Sequence, residues 1–539
     1  MNKIFLKQVS SLEKIFLDDG RNKPEFNSFS ALGGERFSYQ IMYMYESACK
    51  TDVAISLESP IKELVSFYKV GHVPSQLPCR IGDYDDDYIT TKPGLFPDVL
   101  FPASEGTTDI SPVMNTLWVT ADVPKGFKAG TYPITFKFET SEDIKSVTFE
   151  LKIIAADLPE QETIYTQWFH SDCIADYFNV PVFSEDHWQL IESFVKTAAE
   201  CGINMILTPL FTPPLDTKVG AERPTVQLVD VKISDGKYSF GFEKLERWVN
   251  MCRKNGMKYF EMSHLFTQWG AEFTPKIIAE ENGEEKRIFG WDVRADGGEY
   301  EKFLDAFLPE LKLETERLGI KDVTYFHVSD EPSAEHLKSY EYDKNMLMKH
   351  LGDYAIMDAL SDFDFYSKGV SRHPVVSLQH LETFIENNVP DLWTYTCCAP
   401  GTTYSNRFFA MPSGRNRILG IQMYKYDVKG FLHWGYNFYN TQLSVEKIDP
   451  YKVTDAGCAF QSGDSFSVYP YDNGAIHSIR SRVFYDALQD MRALKLLESK
   501  IGKDGVEKLI DSDGELTLKD YPKDYTYILK LRDKINNML

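Results

Sequence analysis

Hydrophobic and polar residues alternate in short runs over the first 158 residues of the chain. Alternation with a period of two is typical of β-strands that bury one face, and turn residues such as Pro124 and Gly126 separate the runs. Several such strands at short spacing predict an all-β sandwich domain over residues 1–158. The alternating runs are residues 37–45, 52–57, 115–121, 130–138 and 147–153.

A different pattern begins near residue 159, where hydrophobic runs of strand length alternate with longer stretches of helical period. The predicted strands are residues 164–170, 204–208, 259–264, 324–329, 354–359, 375–378, 392–396 and 430–434. The predicted helices between them include residues 185–201, 242–255, 299–318 and 334–350. Eight β/α repeats predict a (β/α)8 TIM barrel over residues 159–499, closed by a helix at 476–496. Residues 500–539 are predicted to form a short C-terminal helical tail.

The composition narrows the class of protein. The 539 residues include 58 Lys and Arg against 80 Asp and Glu, which gives a net charge of −22. Such an acidic chain is repelled by nucleic acid and by anionic membranes, and we predict neither as a partner. No apolar run approaches the length of about 18 residues that predicts a transmembrane helix, and the N-terminus lacks the hydrophobic run of a signal peptide. Eight cysteines without a CxxC pair are typical of a reducing compartment, so the predicted location is cytoplasmic.

Two adjacent acidic residues, Asp330 and Glu331, follow the predicted strand at 324–329 directly, and Pro332 comes next. The carboxyl ends of barrel strands are where active sites are built, and charged groups at such a position need water, a partner or a substrate. Neighbouring carboxylates there predict general acid/base catalysis, above all glycoside hydrolysis. The alternative is the start of a helix, with Asp330 as the N-cap and Pro332 in the first turn.

Other predicted strand ends carry polar and aromatic residues that we expect to bind a sugar. The candidates are Trp168, His170, Asp172, Asp216, Arg223, His264, Trp269, Tyr395, His433, Trp434, Tyr436 and Asp464. Tryptophans can stack on sugar faces, with core packing as the alternative, and Asp172, Asp216 and Arg223 can instead fix the loops. No HxH or HExxH spacing supports a zinc site, so we predict no metal and no cofactor.

The predicted strand seven, residues 392–396, carries no carboxylate at its carboxyl end. A retaining barrel glycosidase usually has its nucleophile at that position. A substrate-assisted mechanism needs no such residue, because the 2-acetamido oxygen of the sugar attacks its own anomeric carbon and forms an oxazoline. We therefore expect Asp330 to orient the acetamido group, Glu331 to act as general acid/base, and Tyr395 to align the attacking oxygen.

Several of these segments resemble a known family, the proteins built on the domain of unknown function 4091, whose relatives include glycoside hydrolase family 123. The matching segments are Trp168-Phe-His-Ser-Asp-Cys173, residues 207–217, His264-Leu-Phe-Thr-Gln-Trp-Gly-Ala271, Phe326-His-Val-Ser-Asp-Glu-Pro332, Leu432-His-Trp-Gly-Tyr-Asn437 and residues 93–100. The resemblance covers essentially the whole chain. It implies a β-sandwich followed by a catalytic (β/α)8 barrel, with the family's Asp-Glu pair at Asp330 and Glu331. Residues 478–482 depart from the Arg-x-Glu pattern expected there.

The predicted function is a retaining glycoside hydrolase that removes a β-linked N-acetylhexosamine, with N-acetylgalactosamine favoured by the resemblance to β-N-acetylgalactosaminidases. A glycan or glycoconjugate is the predicted partner, and the oligomeric state is not predicted. Two alternatives stay open. One is a glycosidase of a sugar without the acetamido group, with Glu261 or Asp172 as nucleophile. The other is a non-catalytic glycan-binding protein on a degenerate barrel.

Overall fold

Two packed β-sheets form the N-terminal part of the chain. The computed structural model of the protein describes residues 3–47, 49–268, 271–330, 337–369, 371 and 373–539. The strands of this part are β1 (Ile4–Ser10), β2 (Ser28–Gly33), β3 (Arg36–Tyr45), β4 (Thr51–Glu58), β5 (Val65–Ser75), β6 (Gly94–Ala103), β7 (Gly106–Ile110), β8 (Asn115–Asp122), β9 (Gly130–Glu139) and β10 (Ile144–Asp157). One sheet has the order β1-β3-β8-β5-β6 and the other the order β2-β10-β9-β4-β7.

Alternating burial along the strands explains why they pair as a sandwich. In β4, Val53, Ile55 and Leu57 point into the core while their neighbours face solvent. The same core takes Phe136 and Phe138 from β9, which pairs antiparallel with β4. The predicted β-sandwich is confirmed, and all five alternating runs are strands in it.

Eight parallel strands close into a barrel in the second part of the chain, in the order β11-β12-β15-β18-β19-β20-β21-β22. All strands of this part, in chain order, are β11 (Ile164–Gln167), β12 (Met205–Thr208), β13 (Asp230–Ser234), β14 (Lys237–Gly241), β15 (Tyr259–Met262), β16 (Ile277–Glu281), β17 (Glu284–Phe289), β18 (Thr324–Phe326), β19 (Ala355–Ala359), β20 (His373–Ser377), β21 (Trp393–Tyr395), β22 (Gly430–His433), β23 (Val468–Tyr471) and β24 (Gly474–His477). The predicted (β/α)8 barrel is confirmed, and each predicted strand overlaps one barrel strand.

Helices pack around the barrel and complete its hydrophobic layer. The described helices are α1 (Ser171–Phe178), α2 (Glu185–Ala199), α3 (Glu243–Lys254), α4 (Glu299–Arg317), α5 (Leu337–Leu351), α6 (Phe363–Ser367), α7 (Leu381–Glu386), α8 (Ser413–Lys425), α9 (Ile479–Ile501), α10 (Lys503–Ile510) and α11 (Thr526–Met538). Ser478 starts α9 because its hydroxyl accepts the amide of Ser481 and the Ser481 hydroxyl accepts the amide of Ser478. None of the helices in the described part of the chain has the length and apolar character needed to cross a membrane.

A small four-stranded sheet, which the sequence patterns did not predict, forms within the loops after β12 and β15. Its order is β14-β13-β16-β17. The β13–β14 hairpin turns at Asp235-Gly236 and the β16–β17 hairpin at Asn282-Gly283, and all four residues have positive φ. Asp-Gly and Asn-Gly favour this backbone, which matches the twist of paired strands, so both hairpins follow from their turn residues.

Buried ion pairs join the sandwich, the barrel and the C-terminal helices. Arg480 of α9 binds the carboxylate of Asp98 of β6 through two hydrogen bonds of 3.0 and 2.9 Å. Arg532 of α11 binds Glu35, between β2 and β3, at 2.5 Å and Asp490 of α9 at 2.9 Å. The C-terminal helix therefore bridges the two larger units, since its arginine pairs with a carboxylate from each.

Candidate active site

A cavity of about 200 Å³ opens at the carboxyl ends of the barrel strands. Its lining residues come from most of the barrel strands and the loops that follow them. They are Trp168, Leu215, Asp216, Gln268, Asp330, Ala359, Tyr395, Cys397, Cys398, Leu432, Trp434, Gln442 and Phe460. The wall is mainly apolar and aromatic with a few polar groups, which is the usual make-up of a small-molecule site.

Asp330 lies in this cavity, half-buried, four residues beyond the end of β18. The structure thus places the first residue of the predicted acid pair at the carboxyl end of the fourth barrel strand. Its neighbour Glu331 lies outside the described residues, as does Trp269. Among the residues that line the described cavity, the other carboxylate is Asp216, on the loop after β12.

Two tryptophans contribute aromatic walls to the cavity. Trp168 directly follows β11, and its indole Nε1 donates to Glu261 Oε1 at 2.7 Å. Trp434 directly follows β22, and its Nε1 donates to Asp464 Oδ2 at 3.0 Å. Trp434 is half-buried whereas Trp168 is 4% exposed, so Trp434 offers the larger face to a bound ring. A buried acceptor for each indole N–H fixes the plane of the ring.

Tyr395 also lines the cavity, as the last residue of β21. Its hydroxyl lies 3.3 Å from Ser361 Oγ. The residues that follow, Cys397 and Cys398, line the cavity as well, so the end of strand seven presents a hydroxyl and two thiol-bearing side chains there. The carboxylate that a conventional retaining mechanism needs is not among the described residues of this strand end.

Asp216 holds three loops together at the rim of the cavity. Its carboxylate Oδ2 accepts the amide of Leu443 at 3.1 Å, and its carbonyl accepts the Ser444 hydroxyl at 2.7 Å. The Asp216 amide donates to Gln268 Oε1 at 2.5 Å. Burial raises the pKa of Asp216 to about 6, since desolvation disfavours the charged form.

Three predicted sugar ligands form a buried cluster that does not line this cavity. The Arg223 guanidinium donates to both Asp172 oxygens, at 2.7 and 2.8 Å, and to the Leu215 carbonyl at 3.0 Å. Its Nη2 also lies 3.1 Å from His170 Nδ1. Burial and the adjacent guanidinium lower the pKa of His170 to about 3, so the imidazole is neutral. This arrangement ties the loop that carries Leu215 and Asp216 to the start of α1.

The remaining described candidates are buried and do not line the cavity. His264 stacks on His327 with ring centroids 4.1 Å apart, and burial lowers its pKa well below the ordinary value. His433 Nε2 lies 3.3 Å from Asp464 Oδ1. Burial lowers the pKa of His433 well below its ordinary value and raises that of Asp464 well above its own, because desolvation disfavours the charged form of each. The Tyr436 hydroxyl donates to the Phe194 carbonyl at 2.8 Å.

Besides the aliphatic residues Leu215, Ala359 and Leu432, five residues that line the cavity were not among the predicted site residues. They are Gln268, Cys397, Cys398, Gln442 and Phe460. Cys397 and Cys398 directly follow a predicted strand and Gln268 comes four residues after another, which is a usable signal. Gln442 and Phe460 come from the long loop after β22, where the local sequence carries no signal of its own. Within the described ranges, no group of three or more His, Cys, Asp or Glu side chains is arranged to hold a metal ion.

Comparison with known proteins identifies a family and a structural match over nearly the full chain. Residues 168–497 match the model of the glycoside hydrolase 123 catalytic domain. The fold is similar to that of a family 123 glycoside hydrolase from Clostridium perfringens, studied for glycolipid glycan hydrolysis, with a TM-score of 0.75 and 15% identity over 99% of this chain and 97% of that one. At this identity the structural match shows the fold alone. The comparison with curated proteins finds no match.

Two other glycosidase structures are only distantly similar. The endo-β-1,4-mannanase from Thermotoga petrophila has a TM-score of 0.32 and 9% identity over 62% of this chain and 77% of that one. The β-glucuronidase from Parabacteroides merdae has a TM-score of 0.27 and 8% identity over 80% of this chain and 46% of that one. Neither score supports an argument about fold or function.

Proposed function

Because the chain belongs to glycoside hydrolase family 123, we propose that it is a retaining hydrolase of β-linked N-acetylhexosamine, with N-acetylgalactosamine as the favoured sugar. The observation that carries the proposal is the position of Asp330 in a cavity whose strand-seven end presents Tyr395, Cys397 and Cys398. A mechanism in which the substrate supplies the nucleophile fits a site with this distribution of acids.

In the proposed first step, Glu331 donates its proton to the glycosidic oxygen as the bond to the anomeric carbon breaks. The acetamido oxygen attacks that carbon from the opposite face and forms an oxazolinium ion. Asp330 accepts the acetamido N–H and stabilises the positive charge that develops on it. In this proposal the Tyr395 hydroxyl donates a hydrogen bond to the acetamido oxygen and aligns it for attack.

In the proposed second step, the Glu331 carboxylate takes a proton from water, and the resulting nucleophile attacks the anomeric carbon. The oxazoline ring opens and the acetamido group is restored. Each step inverts the anomeric carbon, so the product retains the configuration of the substrate. Glu331 ends the cycle protonated, as it began. Trp168 and Trp434 are the proposed stacking faces for the sugar ring.

The alternative mechanism uses a protein nucleophile, and its candidates are Glu261 and Asp172. Glu261 is fully buried and accepts hydrogen bonds from Trp168, Thr166 and His327, and Asp172 is buried against Arg223. Neither residue lines the cavity, which favours substrate assistance. The cytoplasmic location remains a prediction from the cysteine pattern.

The test is hydrolysis of 4-nitrophenyl glycosides of β-GalNAc, β-GlcNAc, β-galactose and β-glucose, together with the α-anomers. We expect release from a β-2-acetamido sugar and inhibition by an oxazoline-mimicking thiazoline. Glu331→Gln should lower kcat by about 10²- to 10⁴-fold, because it removes the general acid. Asp330→Asn should lower it by about 10²-fold or more, because it removes the acceptor for the acetamido N–H.

Asp391→Asn is the matched control, because Asp391 is exposed and precedes β21 at the opposite end of the barrel. This variant should keep wild-type activity. Release only from sugars without the acetamido group would refute substrate assistance. Saturable sugar binding without hydrolysis of any glycoside would support the glycan-binding alternative.

A further inference from the structure

Two fully buried carboxylates of the barrel strands lie close to cavity residues without lining the cavity. Glu261 is 0% exposed and Asp358 is 1% exposed. Burying a carboxylate costs free energy unless hydrogen-bond donors surround it. The donors around each carboxylate therefore identify the segments of the chain that it holds in position. In both cases the donors belong to the segments that carry cavity residues.

Glu261, in β15, joins the first and fourth barrel strands. Its Oε1 accepts the indole N–H of Trp168 at 2.7 Å and Nε2–H of His327 at 2.7 Å. Its Oε2 accepts the Thr166 hydroxyl at 2.6 Å. Trp168 forms part of the cavity wall, so Glu261 sets the orientation of that wall relative to the strand that leads to Asp330.

Asp358, in β19, holds the backbone immediately before Asp330. Its Oδ1 accepts the amides of Val328 at 2.9 Å and Ser329 at 3.1 Å. The ladder between β18 and β19 pairs only Tyr325 and Phe326, so backbone pairing with this neighbour stops before that point. The carboxylate therefore replaces the ladder over the residues that lead to Asp330. Its Oδ2 accepts the Tyr340 hydroxyl.

His327 lies between the two carboxylates. Its Nε2 is bonded to Glu261, and its Nδ1 is 3.9 Å from Asp358 Oδ1, beyond hydrogen-bond distance. One face of the ring stacks on His264. Glu261, His327 and Asp358 thus form a line across the third, fourth and fifth barrel strands, and we call this line the polar floor.

We propose that Glu261 and Asp358 are positioning residues of the active site, which hold the Trp168 wall and the Asp330 segment through the polar floor. The inference rests on the proposed function for the role of Asp330. Neither carboxylate touches the substrate. Each acts through the residue that it orients, and a misplacement of about 1 Å in a catalytic group is enough to cost about 10²-fold in rate.

Asp358→Ala and Asp358→Asn form the first test. The alanine variant leaves the Val328 and Ser329 amides without an acceptor, whereas asparagine keeps one oxygen for them and presents its amide group to Tyr340. We expect the alanine variant to lower kcat by about 10- to 100-fold with KM changed less than about threefold. The asparagine variant should restore kcat to within about threefold of wild type.

Glu35→Gln is the matched control, because Glu35 is also a buried carboxylate but pairs with Arg532 at the contact with the sandwich. It should lower the Tm and leave kcat unchanged. A purely structural role for Asp358 predicts that same result for Asp358→Ala, and finding it would overturn the inference for Asp358.

Glu261→Gln and Trp168→Phe form the second test, as a double-mutant cycle. Phenylalanine keeps an aromatic face but has no N–H to donate to Glu261. If Glu261 acts through the indole, the two losses in kcat/KM must not multiply, and Glu261→Gln should cost less in the Trp168→Phe background. Multiplicative losses would overturn the inference for Glu261.

Two measurements separate failure of this inference from failure of the proposed function. The kinetic comparisons use whichever glycoside wild type hydrolyses best, so a substrate without an acetamido group refutes the proposed mechanism and still tests positioning. Crystal structures of the Asp358 variants give a readout without turnover. We expect the Asp330 backbone to be displaced in the alanine variant and unmoved in the asparagine variant. An unmoved Asp330 in both would overturn the inference.

Discussion

Asp172→Asn tests whether the Asp172–Arg223 pair supports the fold or binds the sugar. The two side chains are 2% and 5% exposed, and two hydrogen bonds of 2.7 and 2.8 Å join them. Asparagine removes the negative charge and leaves a buried guanidinium that cannot lose its proton. Breaking a buried pair in this way costs about 3–5 kcal/mol of stability, most of it from the uncompensated charge.

The expected loss can be expressed as a shift in Tm. An unfolding entropy of about 2.1 cal/mol/K per residue over the domain at 168–497 turns this cost into a decrease of about 4–7 °C. Differential scanning calorimetry measures the shift, and kcat/KM is measured well below the Tm. A supporting role predicts a large loss of Tm with modest loss of activity in the folded enzyme, whereas direct sugar binding predicts the reverse.

Two further variants make this prediction refutable. Arg223→Met combined with Asp172→Asn removes both charges, so the double variant should be more stable than Asp172→Asn alone. Glu299→Gln breaks a pair with Lys302 whose side chains are both 71% exposed, and it should leave stability nearly unchanged because solvent screens the pair. If Asp172→Asn lowers the Tm no more than Glu299→Gln does, the pair has no supporting role and the argument from burial is wrong.

Three further predictions concern the cavity rim, the cavity thiols and the C-terminal helix. Asp216→Asn should stabilise the protein at pH 8 by up to about 3 kcal/mol and leave it unchanged at pH 3. The folded pKa of about 6 lies above the ordinary 3.8, so the wild type loses stability as pH rises between the two values; equal Tm values at pH 8 would contradict this. Iodoacetamide should inactivate the enzyme through Cys397 or Cys398, with protection by a thiazoline and resistance in the double serine variant, because both residues line the cavity; unprotected inactivation of that variant would place the reaction elsewhere. Arg532→Met should cost about 3–5 kcal/mol in calorimetry, because it leaves the buried Glu35 without its arginine partner, although Asp490 keeps its pair with Arg417, while Lys534→Met on the exposed face of the same helix should cost little.

The barrel could be predicted from the sequence because each strand is a short hydrophobic run with turn or polar residues after it. The strand ends were less predictable. The predicted strand at 324–329 ends at Phe326 in the structure, because the Asp358 side chain takes the amides of Val328 and Ser329. The small sheet formed by the loops after β12 and β15 was missed although Asp235-Gly236 and Asn282-Gly283 are strong hairpin signals.

Side-chain direction within a barrel strand follows from alternation. Tyr259 packs in the barrel interior and Phe260 against the helices, so Glu261 faces the interior. In the fourth strand, Tyr325 and His327 face the interior while Phe326 packs outside. His327 therefore shares the interior face with Tyr325, two residues before it.

Position relative to the strand end does not by itself separate cavity residues from buried ones. Trp168 and Trp434 come one residue after their strands and line the cavity, and Tyr395 and Leu432 line it from within strands, whereas Glu261 and His433 lie within strands and are buried without lining it. His170 comes three residues after β11 but turns away, because α1 starts at Ser171. A polar residue near a strand end is therefore evidence for a site without being evidence of contact. A substitution distinguishes the two kinds of residue. Replacing a residue that contacts the substrate alters the kinetics alone, whereas replacing a residue that holds others in position also alters stability.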